Sequence, residues 1–175
     1  MDETPSVDQT IDFLKVVHKG QRYGDMPYDQ HPVRALRYLE GDHDIEVELA
    51  LLLHDVLEKS KFTADDLRKM GYTDRTVLAV ELVTKRDGVG VYKEGMSYVE
   101  WIKAIINTGN IGALRVKYAD LAMNSDPENL KKLPPEKADE LRDKYKMPMV
   151  LLRDAMEKNH LLPLRGRHLG EDDPK

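Results

Sequence analysis

The stretch Ile45–Lys59, IEVELALLLHDVLEK, leaves almost no polar face. Ile45, Val47, Leu49, Ala50, Leu51, Leu52, Leu53, Val56 and Leu57 follow one another with few interruptions. A helix that is apolar nearly all round is buried, because a surface helix keeps a polar stripe. Yet this one carries His54 and Asp55 side by side near its end, with Glu58 one turn on. Burying a carboxylate beside an imidazole is costly unless something pairs with both. A divalent cation does so compactly, since both groups ligate it and it cancels the charge.

The chain supplies its own control, because His43-Asp44 is the same dipeptide. That copy follows Gly41 at the start of the apolar run, where Asp44 suits an N-cap. Only the second copy lies inside the run, so only the second needs a partner.

The spacing of apolar residues elsewhere is helical, and no strand-like alternation or internal repeat stands out. Helices are predicted at about 7–19, 29–39, 44–59, 65–70, 75–85, 97–107, 111–124 and 136–159. Ser6 or Asp8 caps the first and Thr73 or Asp74 the fifth, while Ser97 and Glu100 have the spacing of a capping box. Pro148 predicts a kink or break in the last helix. Residues 86–96, RDGVGVYKEGM, hold three glycines and no periodicity, which fits a mobile loop over a site or a plain surface loop. The fold class expected is all-α, one domain over residues 1–162 of about seven or eight helices, with a polar tail over 163–175. His168 in that tail is a weak ligand candidate.

Composition narrows the chemistry. The 175 residues include no cysteine, so disulfides and thiolate metal sites are excluded, and a metal must use His, Asp, Glu and water. A net charge of −5 without a long basic run disfavours nucleic acid as a partner. An anionic small molecule remains compatible where a metal and local Arg or Lys residues meet it. With no apolar run of membrane-spanning length and no signal peptide at the start, the expected location is cytoplasmic, with no membrane partner. The sequence admits a homo-oligomer.

A second carboxylate, Asp120, lies among Val116, Ala119, Leu121 and Ala122, with Asn124 one turn on, and His31 stands just before Pro32 at a helix start. His31, His54, Asp55 and Asp120 are therefore four candidate ligands from three helices. Two imidazoles and two carboxylates suit Mn²⁺, Fe²⁺, Zn²⁺ or Mg²⁺ with water positions left open. Glu58 is placed to orient or deprotonate a water. Lys59 and Arg22 are candidates to meet a substrate phosphate.

These blocks together resemble the HD superfamily of phosphohydrolases, and within it the hydrolase domains that act on guanosine tetraphosphate (ppGpp). HKGQRYGDMPYDQHP at 18–32 looks like that family's opening loop and first metal histidine, and ALLLHDVLEK at 50–59 like its His-Asp helix. LVTK at 82–85 looks like the following helix end, and VKYADLAMN at 116–124 like its last metal aspartate and the asparagine beyond. Their order and spacing match over about residues 8–125. The resemblance implies an all-α fold and a metal, often Mn²⁺, held by His31, His54, Asp55 and Asp120. It also implies water activation by Glu58 and nucleotide contacts from Asn124 and the loop around Arg22, Tyr28 included. Two departures bear on substrate. Lys59 stands where these hydrolases usually have an aspartate, which makes it a candidate to stabilise developing charge, and Arg22-Tyr23 stands where they usually have Arg-Lys. The function expected is a metal-dependent phosphohydrolase of a small nucleotide, with the 3′-pyrophosphate of ppGpp as the leading target. Alternatives are a nucleoside mono- or triphosphate phosphohydrolase, and a degenerate module that binds nucleotide without turnover.

Overall fold

A computed structural model describes residues 4–162 of the chain; His168 and the polar tail lie outside that range. The architecture is an all-α bundle. In order it contains α1 (Val7–Val17), a small hairpin of β1 (Arg22–Tyr23) and β2 (Met26–Pro27), and α2 (Gln30–Ala35), which runs into a 3-10 turn, Leu36–Tyr38. Then follow α3 (Ile45–Leu53), α4 (Val56–Lys59), α5 (Ala64–Lys69), α6 (Asp74–Val83), α7 (Tyr98–Asn107), α8 (Ile111–Ser125), α9 (Pro127–Leu130) and α10 (Pro135–Lys158). No described helix is long and apolar enough to cross a membrane.

Most helices start where a side chain can take up the free N–H groups of the first turn. Ser6, Thr63 and Ser97 each form a capping box, with Gln9, Asp66 and Glu100. Thr73, not Asp74, caps α6. Asp44 caps α3 by accepting from the Val47 amide, so the first His-Asp copy has the structural role expected of it. His43 meanwhile sits 3.2 Å from Glu48 at the surface.

α3 is the centre of the bundle. Leu49, Ala50, Leu51, Leu52 and Leu53 are all fully buried. α8 and α6 pack against α3, α1 and α2 cover it from the other side, and α7 and α10 close the bundle, α10 lying along α8. Such a helix keeps no face for water, which is the physical content of its unbroken apolar sequence.

Several expectations are corrected or decided by the structure. The predicted helix 44–59 is split, because α3 ends at Leu53 and α4 begins only at Val56. The residues between are His54 and Asp55. A two-stranded hairpin, Arg22 opposite Pro27 and Tyr23 opposite Met26, folds the opening loop. It is too short to show alternation in sequence. Of the kink or break expected at Pro148, the break is absent: α10 runs on through a buried Pro148, whose ring leaves the Lys144 carbonyl without its usual amide donor. Of the two readings of residues 86–96, the structure fits the surface loop, with Val89, Val91, Tyr92 and Met96 partly buried against the core. Gly90, at φ +56°, approaches α6 so closely that a Cβ there would meet the Glu81 carbonyl oxygen at 2.1 Å. α9 is a single turn capped by Asp126.

If α3 organises the core, Leu52→Ala should destabilise the protein by about 2–5 kcal/mol, the usual range for a fully buried leucine. Urea denaturation would show this as a lowered midpoint with an unchanged slope.

Candidate metal centre

The split between α3 and α4 is what makes a site. In a regular helix, adjacent side chains diverge and do not meet. Here the His54 amide bonds back to the Leu51 carbonyl, three residues away, while its ring Nδ1 bonds the same oxygen at 2.6 Å. The ladder resumes only when the Lys59 amide reaches the Asp55 carbonyl. Freed from helical spacing, His54 and Asp55 aim at one place, with Nε2 and Oδ2 3.2 Å apart.

Two other helices bring their groups to that place. His31, in the first turn of α2, puts Nε2 3.7 Å from Asp55 Oδ2 and 3.5 Å from Asp120 Oδ1. Asp120, from the middle of α8, lies 3.4 Å from His54 Nε2. His31, His54 and Asp120 each offer a ligand atom within 4.8 Å of the others. These three residues are 2%, 4% and 5% exposed, respectively. The four residues singled out in sequence thus converge.

The donor set fits a divalent cation. A carbonyl only accepts, so His54 Nδ1 carries the proton in the bond to Leu51. In the neutral ring, Nε2 is then a bare lone pair. It is buried, has no hydrogen-bond partner and faces two carboxylate oxygens. Lone pair against anion is repulsive unless a positive charge lies between them. A cation bound through Nε2, with Nδ1 held by a carbonyl, is the usual arrangement at metal sites. The buried His/His/Asp cluster can hold a divalent metal.

A second layer of contacts holds the acids in place. Tyr28 donates its hydroxyl to Asp55 Oδ2 at 2.5 Å. Asn124 donates to Asp120 Oδ1 at 2.8 Å and accepts from the Tyr23 hydroxyl. Tyr23 also stacks on the His31 ring, centroids 4.2 Å apart. Lys117, one turn before Asp120, bonds its Oδ2 at 2.9 Å.

Charges follow from this geometry. Burial by itself would raise the Asp120 and Asp55 carboxyls, but Lys117 and His54 hold Asp120 well below the ordinary range, and His54 does the same for Asp55. Burial opposes charge on His54, yet the two carboxylates push its pKa well up. Burial likewise opposes the Lys117 ammonium, and Asp120 more than compensates. Burial, aided by Asp120 and Asp55, pushes Tyr23 up to about 12. Burial and the Asp55 carboxylate raise Tyr28 further still. Both phenols therefore stay protonated and act as donors at neutral pH.

His31, Asp55 and Asp120 form part of the wall of a cavity of about 640 Å³, with His54 just behind them. Glu58 and Lys59 line it, with Lys59 Nζ 3.9 Å from Glu58 Oε1 and 5.3 Å above the Tyr28 ring. Tyr28 and Asn124 line it too. Arg22 does not: its guanidinium bonds the Asp25 carbonyl within the hairpin turn, and Arg34 occupies the rim instead. The lining carries Arg34, Lys59, Lys85, Lys117, Lys132, Lys137 and Lys144 against Asp25, Asp55, Glu58 and Asp120. A chain with a net charge of −5 has gathered cations around one opening.

Sequence reading passed over most of those lysines, which look like ordinary surface charges. Lys117 had a readable signal, a lysine three residues before Asp120 in an otherwise apolar helix. His18, the C-cap of α1, carries no such signal in the sequence. It is buried against Tyr28, and its Nδ1 meets Gln21, whose amide reaches the Lys59 carbonyl.

No family model matches the chain. A segment is similar to the guanosine-3′,5′-bis(diphosphate) 3′-pyrophosphohydrolase MESH1 of Danio rerio, 37% identical over 68 residues. The match covers 35% of this chain and 38% of that protein, so the chain spans well under half the length of the relative it matches.

Two outcomes test the centre. Mn²⁺ or Zn²⁺ at a hundred times its dissociation constant should stabilise the fold by about 2.7 kcal/mol through mass action. His54→Ala should remove that gain, read as the metal-induced rise in melting temperature. Lys117→Met should destabilise the metal-free protein by about 3–5 kcal/mol, because it strands the buried Asp120 charge; chemical denaturation measures it.

Proposed function

We propose that this chain is a metal-dependent phosphohydrolase of a small nucleotide, and that guanosine 3′,5′-bis(diphosphate) is its substrate, cleaved at the 3′-pyrophosphate. One observation carries the reading: two imidazoles and two carboxylates converge at a buried point on the wall of a cavity rich in lysine. The partial likeness to a hydrolase of that nucleotide supports the choice of substrate.

His31, His54, Asp55 and Asp120 would hold the metal, with Mn²⁺ the first choice among Mn²⁺, Zn²⁺, Fe²⁺ and Mg²⁺. Such an ion supplies a Lewis acid that polarises a phosphoryl oxygen and acidifies a coordinated water. The chain's own residues do the rest. Glu58 accepts the Lys85 amide at 3.2 Å, which fixes its carboxylate at the cavity wall with a third of its side chain exposed. From there it takes the proton of the attacking water. Lys59, beside Glu58, faces the negative charge that gathers on the phosphoryl oxygens as the bond from phosphorus to the ribose 3′ oxygen breaks. A lysine there replaces an acid with a cation and suits a leaving group that is itself a polyanion. Tyr28 and Asn124 act by holding Asp55 and Asp120 rather than by touching the nucleotide.

The test is to incubate purified protein and Mn²⁺ with guanosine 3′,5′-bis(diphosphate), deoxynucleoside triphosphates and nucleoside monophosphates, and to resolve products by ion exchange. Pyrophosphate released from the bis(diphosphate) alone is the expected result. Turnover of another nucleotide with the bis(diphosphate) inert would transfer the activity to that substrate. Affinity without product under any metal would leave a binding module. Glu58→Gln should retain metal and lose about 10²–10⁴ in rate, the usual contribution of a general base; a fully active variant would remove Glu58 from that role.

A further inference from the structure

One end of the cavity carries more positive charge than the metal centre needs. The ring of Tyr98, at the start of α7, is approached by three ammonium groups from three separate parts of the chain. Lys144 of α10 lies 5.3 Å from its centroid, Lys117 of α8 5.6 Å, and Lys85, just after α6, 5.9 Å. Each also lies over a further ring: Lys117 over Trp101, Lys144 over Tyr145 and Lys85 over Tyr92.

The nearby carboxylates are already engaged. Asp120 bonds Lys117, Glu58 neighbours Lys59, and Glu140 on α10 pairs with Lys137. Among the described residues, no carboxylate oxygen lies within ion-pair distance of Lys85 or Lys144. Like charges gathered around one ring repel, and the attraction of an aromatic face for each cation offsets that only in part. The Lys144 ammonium is depressed below the ordinary lysine range by desolvation and by Lys85, Lys137 and Lys117. Such an arrangement is relieved by an anion between the cations, and both side chains line the cavity.

We propose that Lys85 and Lys144, over Tyr98, form a second anion subsite that binds a phosphate group of the nucleotide other than the one cleaved. The substrate class that follows is a nucleotide phosphorylated at two separate positions, one group at the metal centre and one at the Tyr98 end. Lys117 joins the two ends, because the ammonium that faces Tyr98 is the one bonded to Asp120. The assignment of a cleaved group rests on the hydrolase reading; the existence of the subsite does not.

Inorganic pyrophosphate titrated calorimetrically into the metal-free protein at low salt tests the subsite without catalysis. Wild type should bind it, and more weakly as ionic strength rises. Lys85→Gln and Lys144→Gln should each weaken binding about tenfold, the loss expected for one charge-assisted contact. The double variant should weaken it further, and Lys69→Gln, away from the cavity, should not. Both lysines are exposed, so the variants should fold as wild type does. Undetectable wild-type binding, or a double variant that binds as wild type does, would overturn the subsite. Where turnover is found, the double variant should raise KM for guanosine 3′,5′-bis(diphosphate) about tenfold or more with little change in kcat. It should leave KM unchanged for a nucleotide phosphorylated only at the cleaved position. An equal rise for both nucleotides would place the lysines on the cleaved group and overturn the assignment. Loss of pyrophosphate binding in a protein that turns over no nucleotide would sustain the subsite and sink the hydrolase reading alone.

Discussion

Two carboxylates buried next to each other in an apolar bundle are the constraint to which the rest of the molecule answers. Neither Asp55 nor Asp120 can stay ionised there without positive charge close by. Lys117 supplies it to one oxygen of Asp120, and Tyr28 and Asn124 supply hydrogen bonds. The oxygens that accept from Tyr28 and Asn124, Asp55 Oδ2 and Asp120 Oδ1, also face the two imidazoles at 3.2–3.7 Å, where positive charge, from a ring proton or a bound cation, resolves what would otherwise be repulsion. Destabilising contacts of this kind persist when surrounding packing is strong enough to impose them, and the unbroken apolar face of α3 provides that strength.

The interruption of that helix is part of the same solution. A continuous helix would set His54 and Asp55 about 100° apart around its axis. By turning the His54 ring onto the Leu51 carbonyl, the chain gives up regular helical pairing at one step. It gains a fixed tautomer and two neighbouring side chains aimed at one point. The two strands of the hairpin serve a matching purpose. They fold Tyr23 over His31, while Tyr28, just beyond, reaches Asp55, so the loop acts as a lid of hydrogen-bond donors on the acid cluster.

Charge is distributed in opposition to the totals. The chain is acidic, yet the cavity that opens on the acid cluster is rimmed with lysine. Cations gathered at one opening favour the approach of an anion there even in a chain of negative net charge.

The sequence by itself determined the all-α class, the burial of Leu49–Leu53, the capping of α3 and α7, and the choice between two identical His-Asp pairs. All of these are local: periodicity, cap chemistry and the apolar surroundings of a single dipeptide are written in neighbouring residues. Candidate ligands were legible for the same reason, since a charged residue in an apolar run is anomalous wherever the run ends up. What only the tertiary structure decided was the break at His54–Asp55, the convergence of three helices on one point, the absence of Arg22 from the cavity and the gathering of Lys85, Lys117 and Lys144 around Tyr98. Those lysines lie on segments far apart in the chain, and each reads locally as a solvated charge. Their meaning arises only when packing brings them together, because electrostatic energy depends on distance through space and not on separation along the sequence.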